Sequence, residues 1–443
     1  LIGALPQALS VLTDPADCGP VVLALPQDVQ AEAFEYPASL FEPALHAIAR
    51  LRADGRGIAE AAALLRSAKR PFVVVGGGVH YAGAFAELEH FVNRHGLPFA
   101  ETQAGKGALR WDHPLNTGAI GVTGSSAANR LAGDADVVVA VGTRLQDFTT
   151  GSGRLFAAEA RFVSINVNRH DAVKRRALAL RGDAAVTLAD IDRELSPLSR
   201  DASRAAQIAA SIAEWRAAVE AATGAVPNGL PSDAQVLGAV NRAAGDDATV
   251  VCAAGGLPGE LHKLWRASGP GSYHLEYGYS CMGYEIAGGL GVKMARPERE
   301  VIVLVGDGSY LMLNSEIATS VALGLKLTIV VLDNRGFGCI NRLQQSCGGE
   351  PYNNLLPDTP AIDFVAHARA LGAAASGVEN IAALEAALAE AFAADTTQVL
   401  VIETDPASST RAGGAWWDVP VPEVSTSDSV RRAFAEYERK RAQ

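Results

Sequence analysis

The stretch VIVLVGDGS, residues 301–309, decides the fold of this chain. Its first five residues are all aliphatic, which predicts a short strand buried on both faces of a sheet. The glycines that follow place Asp307 directly beyond the carboxyl end of that strand. In open α/β sheets ligands bind at this edge, and glycines let the backbone approach them closely. The stretch therefore predicts a parallel α/β sheet with a binding site at its carboxyl edge.

A second pair of polar side chains follows the next aliphatic run. Residues 329–332 predict another buried strand, and Asp333 and Asn334 come directly after it. The carboxyl ends of parallel strands meet at one edge, so Asp307 and Asn334 can share one hard cation. Mg²⁺ typically takes few protein oxygens and completes its shell with phosphates and water. A lone Gly-Asp-Gly is usually only a turn, so it is the second strand end that favours a metal-bridged diphosphate site.

Two further segments are predicted to reach the same edge. The run at 249–252 predicts a strand that ends in AAGGL, residues 253–257, whose small residues leave backbone N–H groups free to face a phosphate. The second segment, SCMGY at 280–284, precedes a helix with three glycines within residues 287–291. Each glycine costs about 1 kcal/mol relative to Ala, which suggests close packing on a neighbour or ligand. On its own, Met282 would more often be a core residue.

Alternating strands and helices extend from this region toward both termini. Such alternation predicts parallel sheets with helices on both faces. Strands are expected at 71–75, 98–101, 137–141 and 162–167, and again at 249–252, 300–305, 327–332 and 398–403. Helices are expected from residue 57, around 85–91 and 125–132, and at 201–223, 283–294, 314–323, 360–371 and 379–393.

The expected domain division follows this alternation. Residues 1–30, with a helix at 1–12 and a strand at 21–25, are expected to be the last piece of a truncated α/β domain. The other units are a linker at 31–55, a middle Rossmann-like domain at 56–195, a linker helix at 196–231 that breaks at 226–231, a second α/β domain at 232–410 and a tail at 411–443. In that tail, Ser427 is expected to cap a charged helix.

Composition excludes several classes of protein. The 443 residues are 49% hydrophobic and 20% charged, which is typical of a globular chain. The formal net charge of −11 makes nucleic acid and anionic membranes poor partners. No aliphatic run approaches the roughly 20 residues of a membrane span. The five cysteines form no CxxC pair, so we expect neither a zinc site nor disulfides, and a cytoplasmic location.

The motifs together resemble the thiamine-diphosphate enzymes of the acetolactate-synthase-like superfamily. GDG followed by Asn334 matches their cofactor motif, MGYEIAGGLGVK at 282–293 resembles MGYGLPAAIGAK, and VGTRLQDFTTG at 141–151 resembles GARFDDRVTG. GPVVLALPQDVQ at 19–30 is similar to the end of their N-terminal domain. The resemblance implies consecutive doubly wound parallel-sheet domains, pyrimidine-binding, middle and diphosphate-binding in that order. It also implies thiamine diphosphate and Mg²⁺ as cofactors, and a homodimer or homotetramer with the active site between subunits.

Several stretches are more narrowly similar to the hydrolases that open trihydroxycyclohexane-1,2-dione in inositol breakdown. They include ETQAGKGAL at 101–109, GAIGVTGSSAAN at 118–129, LDNRGFGCINRLQ at 332–344 and GGAWWDVPVPEVS at 413–425. This resemblance implies cleavage of the C–C bond of a cyclic diketone to give 5-deoxy-glucuronate. Two alternatives stay open: a carboligase or decarboxylase acting on pyruvate, and a truncated, non-catalytic subunit that contributes a half-site.

The resemblance also assigns roles to individual residues. The residues expected to bind the cofactor or its metal are Gly255, Gly256, Leu257, Ser280, Met282, Asp307, Gly308, Ser309, Asn334 and Gly336. Of these, Asp307, Asn334 and the Gly336 carbonyl are the expected Mg²⁺ ligands, and Met282 is the expected apolar wedge under the cofactor. The family's catalytic Glu belongs to the N-terminal domain, so no catalytic residue is assigned here and we expect the chain alone to be inactive.

Two further features concern the substrate pocket and a nucleotide site in the middle domain. Gln103 and Lys106, together with Phe337, Cys339 and Ile340, are candidates to line the substrate pocket. Three glycines at 76–78 follow a predicted strand, but Tyr81 stands where GxGxxG requires its last glycine. Relatives in the superfamily hold a nucleotide in this domain, and we expect that pocket to be vestigial here.

Overall fold

Two parallel sheets organise the protein. The computed structural model describes residues 1–199, 201–224, 229–356 and 360–442, and within them each sheet has six strands. All the strand pairings within the two sheets are parallel, as the alternating pattern predicts. The fold is therefore a series of doubly wound α/β domains. None of the helices in the described ranges is long and apolar enough to cross a membrane.

The first sheet has the strand order β3-β2-β1-β4-β5-β6. Its strands are β1 Pro71–Val75, β2 Phe99–Glu101, β3 Asn116–Ala119, β4 Val137–Val141, β5 Arg161–Asn166 and β6 Leu178–Arg181. Helices of this half and of the segment before it are Ala4–Leu12, Gln27–Gln30, Ala38–Phe41, Gly55–Ser67, Gly78–Ala82, Phe85–His95, Gln103–Gly105, Ser126–Gly133, Arg169–Ala172, Lys174–Arg176 and Ala184–Glu194. Successive strand residues such as Val73 and Val74 enter different cores on the two faces of the sheet.

The second sheet has the order β11-β12-β10-β9-β7-β8. Its strands are β7 Thr249–Cys252, β8 Tyr273–Leu275, β9 Val301–Gly306, β10 Thr328–Asp333, β11 Ala374–Val378 and β12 Gln398–Glu403. The helices here are Ala202–Thr223, Asp233–Ala243, Leu257–Leu264, Tyr284–Ala295, Asp307–Tyr310, Glu316–Ala322, Gly338–Ser346, Phe364–Ala370, Ile381–Ala393 and Asp428–Arg441. Residues of β9 again alternate between two cores, with Leu304 on one face and Val303 on the other.

Each sheet has a point at which the strand order reverses and the chain crosses from one side of its first strand to the other. In the first sheet this point lies between β1 and β4, and in the second between β7 and β9. Ligands of open α/β sheets bind in the crevice outside the carboxyl ends of the strands at such a point. The loops after β7 and β9 begin at Ala253 and Asp307, so the predicted site falls at the reversal point of the second sheet.

Two sequence predictions about the ends of the chain are wrong. Residues 21–25 form no strand, and Val22 is 90% exposed. No described strand lies beside this run, so its backbone has no ladder to join and its side chains have no face to cover. Ser427 occupies the expected helix-start position, but its hydroxyl pairs with that of Ser429 instead of capping a backbone N–H. Part of the predicted helix break at 226–231 lies outside the described residues.

Candidate active site at the carboxyl edge of the second sheet

The metal residues predicted from sequence come together beyond β9 and β10. Asp307 begins the turn after β9, and its Oδ2 accepts a hydrogen bond of 2.7 Å from the Gly336 N–H. Asn334 follows β10, and its Oδ1 accepts from the Gly338 N–H at 3.4 Å. Gly336 has φ +141, and a Cβ there would lie 2.4 Å from the Asn354 carbonyl oxygen. Only glycine therefore allows this loop to fold against Asp307.

One carboxylate oxygen of Asp307 lacks a hydrogen-bond partner among the described residues. Its side chain is buried, and among the described residues Oδ1 has no hydrogen-bond partner. Burial, and next the charge of Asp333, raise the pKa of Asp307 to about 6. A buried carboxylate that faces a second acid and has an unused oxygen fits a cation ligand, because a cation removes both penalties. The carboxylate, the Asn334 amide and the Gly336 carbonyl are the oxygen donors that Mg²⁺ prefers.

Ser309 is turned away from the open edge of the sheet. Its hydroxyl donates to Glu285 Oε1 at 2.8 Å and accepts from the Gly283 N–H at 3.0 Å. The same carboxylate also accepts from the Ala254 N–H. The hydroxyl already donates its proton to Glu285, so the group of Ser309 that remains for a ligand at this edge is its backbone N–H. Glu285 was missed from the sequence, although a charged residue in a run of small and apolar ones is a visible signal.

The segment after β7 reaches the edge through its backbone. Gly255 has φ +83 and open space where a Cβ would stand. Gly256 precedes the helix Leu257–Leu264, and a Cβ on it would lie 2.7 Å from Arg342 Nη2. Leu257 packs its side chain into the core, so only its N–H can serve a ligand. Gly255, Gly256 and Leu257 therefore present backbone N–H groups at this edge, and such groups can bind a diphosphate.

The loop that carries Met282 is held by Glu276. One Glu276 oxygen accepts from the Tyr279 N–H at 2.9 Å, and the other accepts from the Cys281 N–H at 2.8 Å. Ser280 has φ +52, and its hydroxyl donates to the Ala253 carbonyl at 3.3 Å. Met282 is 40% exposed, so it is not the core residue that its sequence context alone would favour. Its exposure fits an apolar surface that a ligand could cover.

Three of the candidate pocket residues lie beside the metal loop. Phe337 and Ile340 are exposed, at the start of the helix Gly338–Ser346. A Cβ on Gly308 would lie 2.7 Å from the Phe337 ring, so the ring covers the Asp307 turn closely. Cys339 is half-buried and close to Gly256. The structure thus places apolar side chains next to the expected metal site.

Gln103 and Lys106 use their polar side-chain atoms in hydrogen bonds to the second α/β domain. Gln103 Nε2 donates to the Pro258 carbonyl at 2.7 Å, and its Oε1 accepts from the Tyr273 hydroxyl at 2.8 Å. Lys106 Nζ donates to the His262 carbonyl at 2.9 Å. Both side chains are buried between the two α/β domains, away from the exposed Phe337 and Ile340, and their place in the substrate pocket stays a prediction. The carbonyls of Pro258 and His262, to which they donate, lie on the helix Leu257–Leu264, so both side chains support that helix.

The reversal point of the first sheet is closed by direct backbone contact. The Gly78 N–H donates to the Gly142 carbonyl at 2.9 Å. A Cβ on Gly76 would lie only 2.4 Å from the same oxygen. The loops after β1 and β4 therefore touch where a Rossmann fold usually opens for a dinucleotide. This closure supports the expectation that the middle-domain pocket is vestigial.

The fold and the site define a thiamine-diphosphate enzyme. Residues 58–191 match the family model described as thiamine pyrophosphate enzyme, central domain. Residues 253–404 match the model described as thiamine pyrophosphate enzyme, C-terminal TPP binding domain. The second match contains the Asp307 turn and the Asn334 loop, and its start coincides with the end of β7.

Comparison with individual proteins shows which thiamine-diphosphate enzymes this chain resembles. The chain is 40% identical to 3D-(3,5/4)-trihydroxycyclohexane-1,2-dione hydrolase of Geobacillus thermodenitrificans, over 98% of this chain and 73% of the relative. It is 39% identical to hydrolase 2 of that name from Bacillus cereus, with the same coverage, and 39% identical to the Clostridium perfringens hydrolase, over 99% of this chain and 74% of the relative. The chain belongs to the 3D-(3,5/4)-trihydroxycyclohexane-1,2-dione hydrolase family.

Proposed function

We propose that this protein hydrolyses the C–C bond between the two carbonyls of 3D-(3,5/4)-trihydroxycyclohexane-1,2-dione. The product is 5-deoxy-glucuronate, the reaction belongs to myo-inositol catabolism, and it takes place in the cytoplasm. The observation that carries the proposal is the 39–40% identity, along almost the whole chain, to hydrolases named for this substrate. The cleavage consumes one water and releases no CO₂, because all six ring carbons remain in the open-chain acid.

We infer that Mg²⁺ and thiamine diphosphate occupy the edge beyond β7, β9 and β10. Asp307 Oδ1, the Asn334 amide oxygen and the Gly336 carbonyl would hold the metal. Backbone N–H groups after β7 and β9 would hold the diphosphate, from Gly255, Gly256, Leu257, Gly308 and Ser309. The open oxygen of Asp307 supports this assignment most directly, because nothing else among the described residues satisfies it.

The protein's own residues then orient the reactants and exclude water. Bound thiamine diphosphate supplies a nucleophilic carbon and an electron sink for C–C cleavage. The exposed side chain of Met282 would support the cofactor rings, and the Ser280 carbonyl would accept from the aminopyrimidine. Phe337 and Ile340 would cover the substrate beside the metal loop and keep bulk water from it. We further propose a homodimer or homotetramer in which another subunit supplies the pyrimidine side of each site.

The test of function compares two substrates on one enzyme. The full-length gene product, with Mg²⁺ and thiamine diphosphate, is given the cyclic trihydroxy dione or pyruvate in parallel reactions. Ring-opened acid and CO₂ are followed by chromatography and by a coupled CO₂ assay. We expect ring-opened acid from the dione and no CO₂ from either substrate. CO₂ from pyruvate, with the dione untouched, would instead indicate a synthase-like decarboxylase.

A further inference from the structure

Glu285 is a fully buried carboxylate that connects three separate segments of the site. It has 0% exposure and lies in the first turn of the helix Tyr284–Ala295. Its Oε1 accepts from the Ala254 N–H at 3.1 Å and from the Ser309 hydroxyl at 2.8 Å. Its Oε2 accepts from the Gly283 N–H at 3.0 Å. Both oxygens are therefore used, and all three partners donate.

A helix cap alone does not account for this arrangement. An acidic residue in a first helical turn interacts favourably with the helix dipole while it remains exposed to water. Complete burial adds a desolvation cost, and it raises the pKa of Glu285 above its usual range. That cost is offset only because donors from other parts of the fold converge on the carboxylate. Two of these donors, on Ala254 and Ser309, lie outside the helix that carries Glu285.

Each of the three donors is next to a residue expected to meet the cofactor. Ala254 precedes Gly255 in the segment after β7, and Gly283 directly follows Met282. Ser309 belongs to the Asp307 turn after β9. Because Gly283 N–H contacts both Glu285 and the Ser309 hydroxyl, the Met282 loop and the Asp307 turn are held together by one small network. Their separation is set before any ligand binds.

We propose that Glu285 is a positioning residue that fixes the separation between Met282 and the Asp307 turn. That separation must match the distance between the rings and the diphosphate of the cofactor, so Glu285 selects the complete cofactor over its diphosphate fragment. This inference depends on the proposed function only through the identity of the cofactor. Nothing in it requires Glu285 to touch substrate or to exchange a proton with it.

The variant Glu285→Gln tests the proposal in the full-length gene product. Gln keeps the size of the side chain, but its amide nitrogen cannot accept, so at least one of the three donors loses its acceptor. Calorimetry in excess Mg²⁺ measures the affinity for thiamine diphosphate and, separately, for inorganic pyrophosphate. We expect thiamine diphosphate to bind at least about tenfold more weakly, the size expected for one lost hydrogen bond to a charged group. Pyrophosphate affinity should stay within about threefold, because pyrophosphate has no rings for Met282 to support.

Asp183→Asn is the matched control. Asp183 is another buried carboxylate that receives two backbone N–H groups, from Ala185 and Val186, but it lies in the middle domain. This variant should lower thermal stability and leave both affinities unchanged. Ser309→Ala removes one Glu285 partner with little change in volume, and it tests the network should Glu285→Gln fail to fold. It should reproduce the selective loss of thiamine diphosphate, and the double variant should lose little more.

The outcomes separate the positioning role from the proposed function. Wild-type protein that binds pyrophosphate but not thiamine diphosphate would refute the cofactor assignment itself. Glu285→Gln and Ser309→Ala proteins that bind thiamine diphosphate as tightly as wild type would overturn the positioning role alone. A parallel loss of both affinities would also overturn it, since the carboxylate would then only support the phosphate loops.

Discussion

At the scale of single residues, the open oxygen of Asp307 gives the metal assignment its most direct test. Asp307→Asn keeps an acceptor for the Gly336 N–H but removes the buried charge. We expect Mg²⁺-dependent binding of thiamine diphosphate to weaken at least about hundredfold, because an amide is a poor replacement for a carboxylate on a hard cation. The unfolding free energy without cofactor should stay equal or rise by about 1 kcal/mol, since an unpaired buried charge is lost. Calorimetry and urea denaturation measure the two effects.

A second buried acid of the same domain is the control for that variant. Burial raises the pKa of Asp233 to about 6 as well, but Asp233 lies at the start of a helix that carries no predicted site residue. Asp233→Asn should therefore leave the Mg²⁺ dependence intact. A metal affinity that falls equally in both variants would mean that Asp307 acts through stability and is not a ligand.

The residues that sequence could identify are those whose position follows from strand ends. Asp307 and Asn334 directly follow aliphatic runs, so parallel topology alone brings them together. Glu285 and Lys106 could not be assigned in this way, because their roles depend on partners far away in sequence. Glu285 meets Ala254, and Lys106 meets His262, only after the sheets and domains have assembled.

At the scale of elements, the contact between the loops after β1 and β4 requires glycine at position 76. Gly76→Ala would place a Cβ 2.4 Å from the Gly142 carbonyl oxygen and 2.6 Å from the Thr143 backbone. Backbone on both sides cannot move aside cheaply, so we expect a loss of about 2–3 kcal/mol in unfolding free energy. Urea denaturation measures the unfolding free energy of this variant. Gly245→Ala is the control, because a Cβ at Gly245 meets nothing within 4 Å. Equal stabilities for the two variants would mean that the β1 and β4 loops separate readily.

The strands that sequence analysis found and missed differ in their place in the sheet. The aliphatic runs of β1, β4, β7, β9 and β10 predict the inner strands within one or two residues. The missed strands are β3, β6, β8 and β11, and each stands at an edge of its sheet. AASGV in β11 is half-buried or exposed, and NTGA in β3 is mostly buried but consists of small and polar residues, so neither carries an aliphatic run. Only the finished sheet shows that they pair.

At the scale of the whole molecule, a buried polar cluster joins the two domains. His262 Nε2 lies 3.0 Å from the Glu101 carbonyl, and its Nδ1 lies 2.9 Å from the Thr123 hydroxyl. A ring nitrogen facing a carbonyl donates, so Nε2 carries a proton; in the neutral ring Nδ1 then accepts from the Thr123 hydroxyl. Burial, and next the charge of Lys106, lower the pKa of His262 to about 3, which favours the neutral ring. The cluster thus holds the helix Leu257–Leu264 against the middle domain.

The same cluster predicts a pH dependence of stability. Burial raises the pKa of Glu101 from 4.5 to about 7, and burial lowers the pKa of Lys106 from 10.5 to about 8. Between pH 4.5 and 7 the folded protein holds the Glu101 proton that the unfolded chain has released, so this group's contribution to stability falls as pH rises. Between about pH 5 and about pH 7.5, we expect the unfolding free energy of Glu101→Gln to fall by about 1–2 kcal/mol less than that of the wild type. Urea denaturation at the two pH values measures the difference.

An exposed acid and a second variant complete that test of the domain interface. Glu60→Gln changes an exposed carboxyl, half of an ion pair within one helix, and should leave the pH slope at its wild-type value. Near pH 8, where Glu101 is ionised in the wild type, Lys106→Met leaves that carboxylate without its compensating charge and should cost about 2–3 kcal/mol. Lys106→Met combined with Glu101→Gln should recover most of that loss. If the double variant is no more stable than Lys106→Met alone, the hydrogen bond from Lys106 to the His262 carbonyl, and not the charge pair, holds the two domains together.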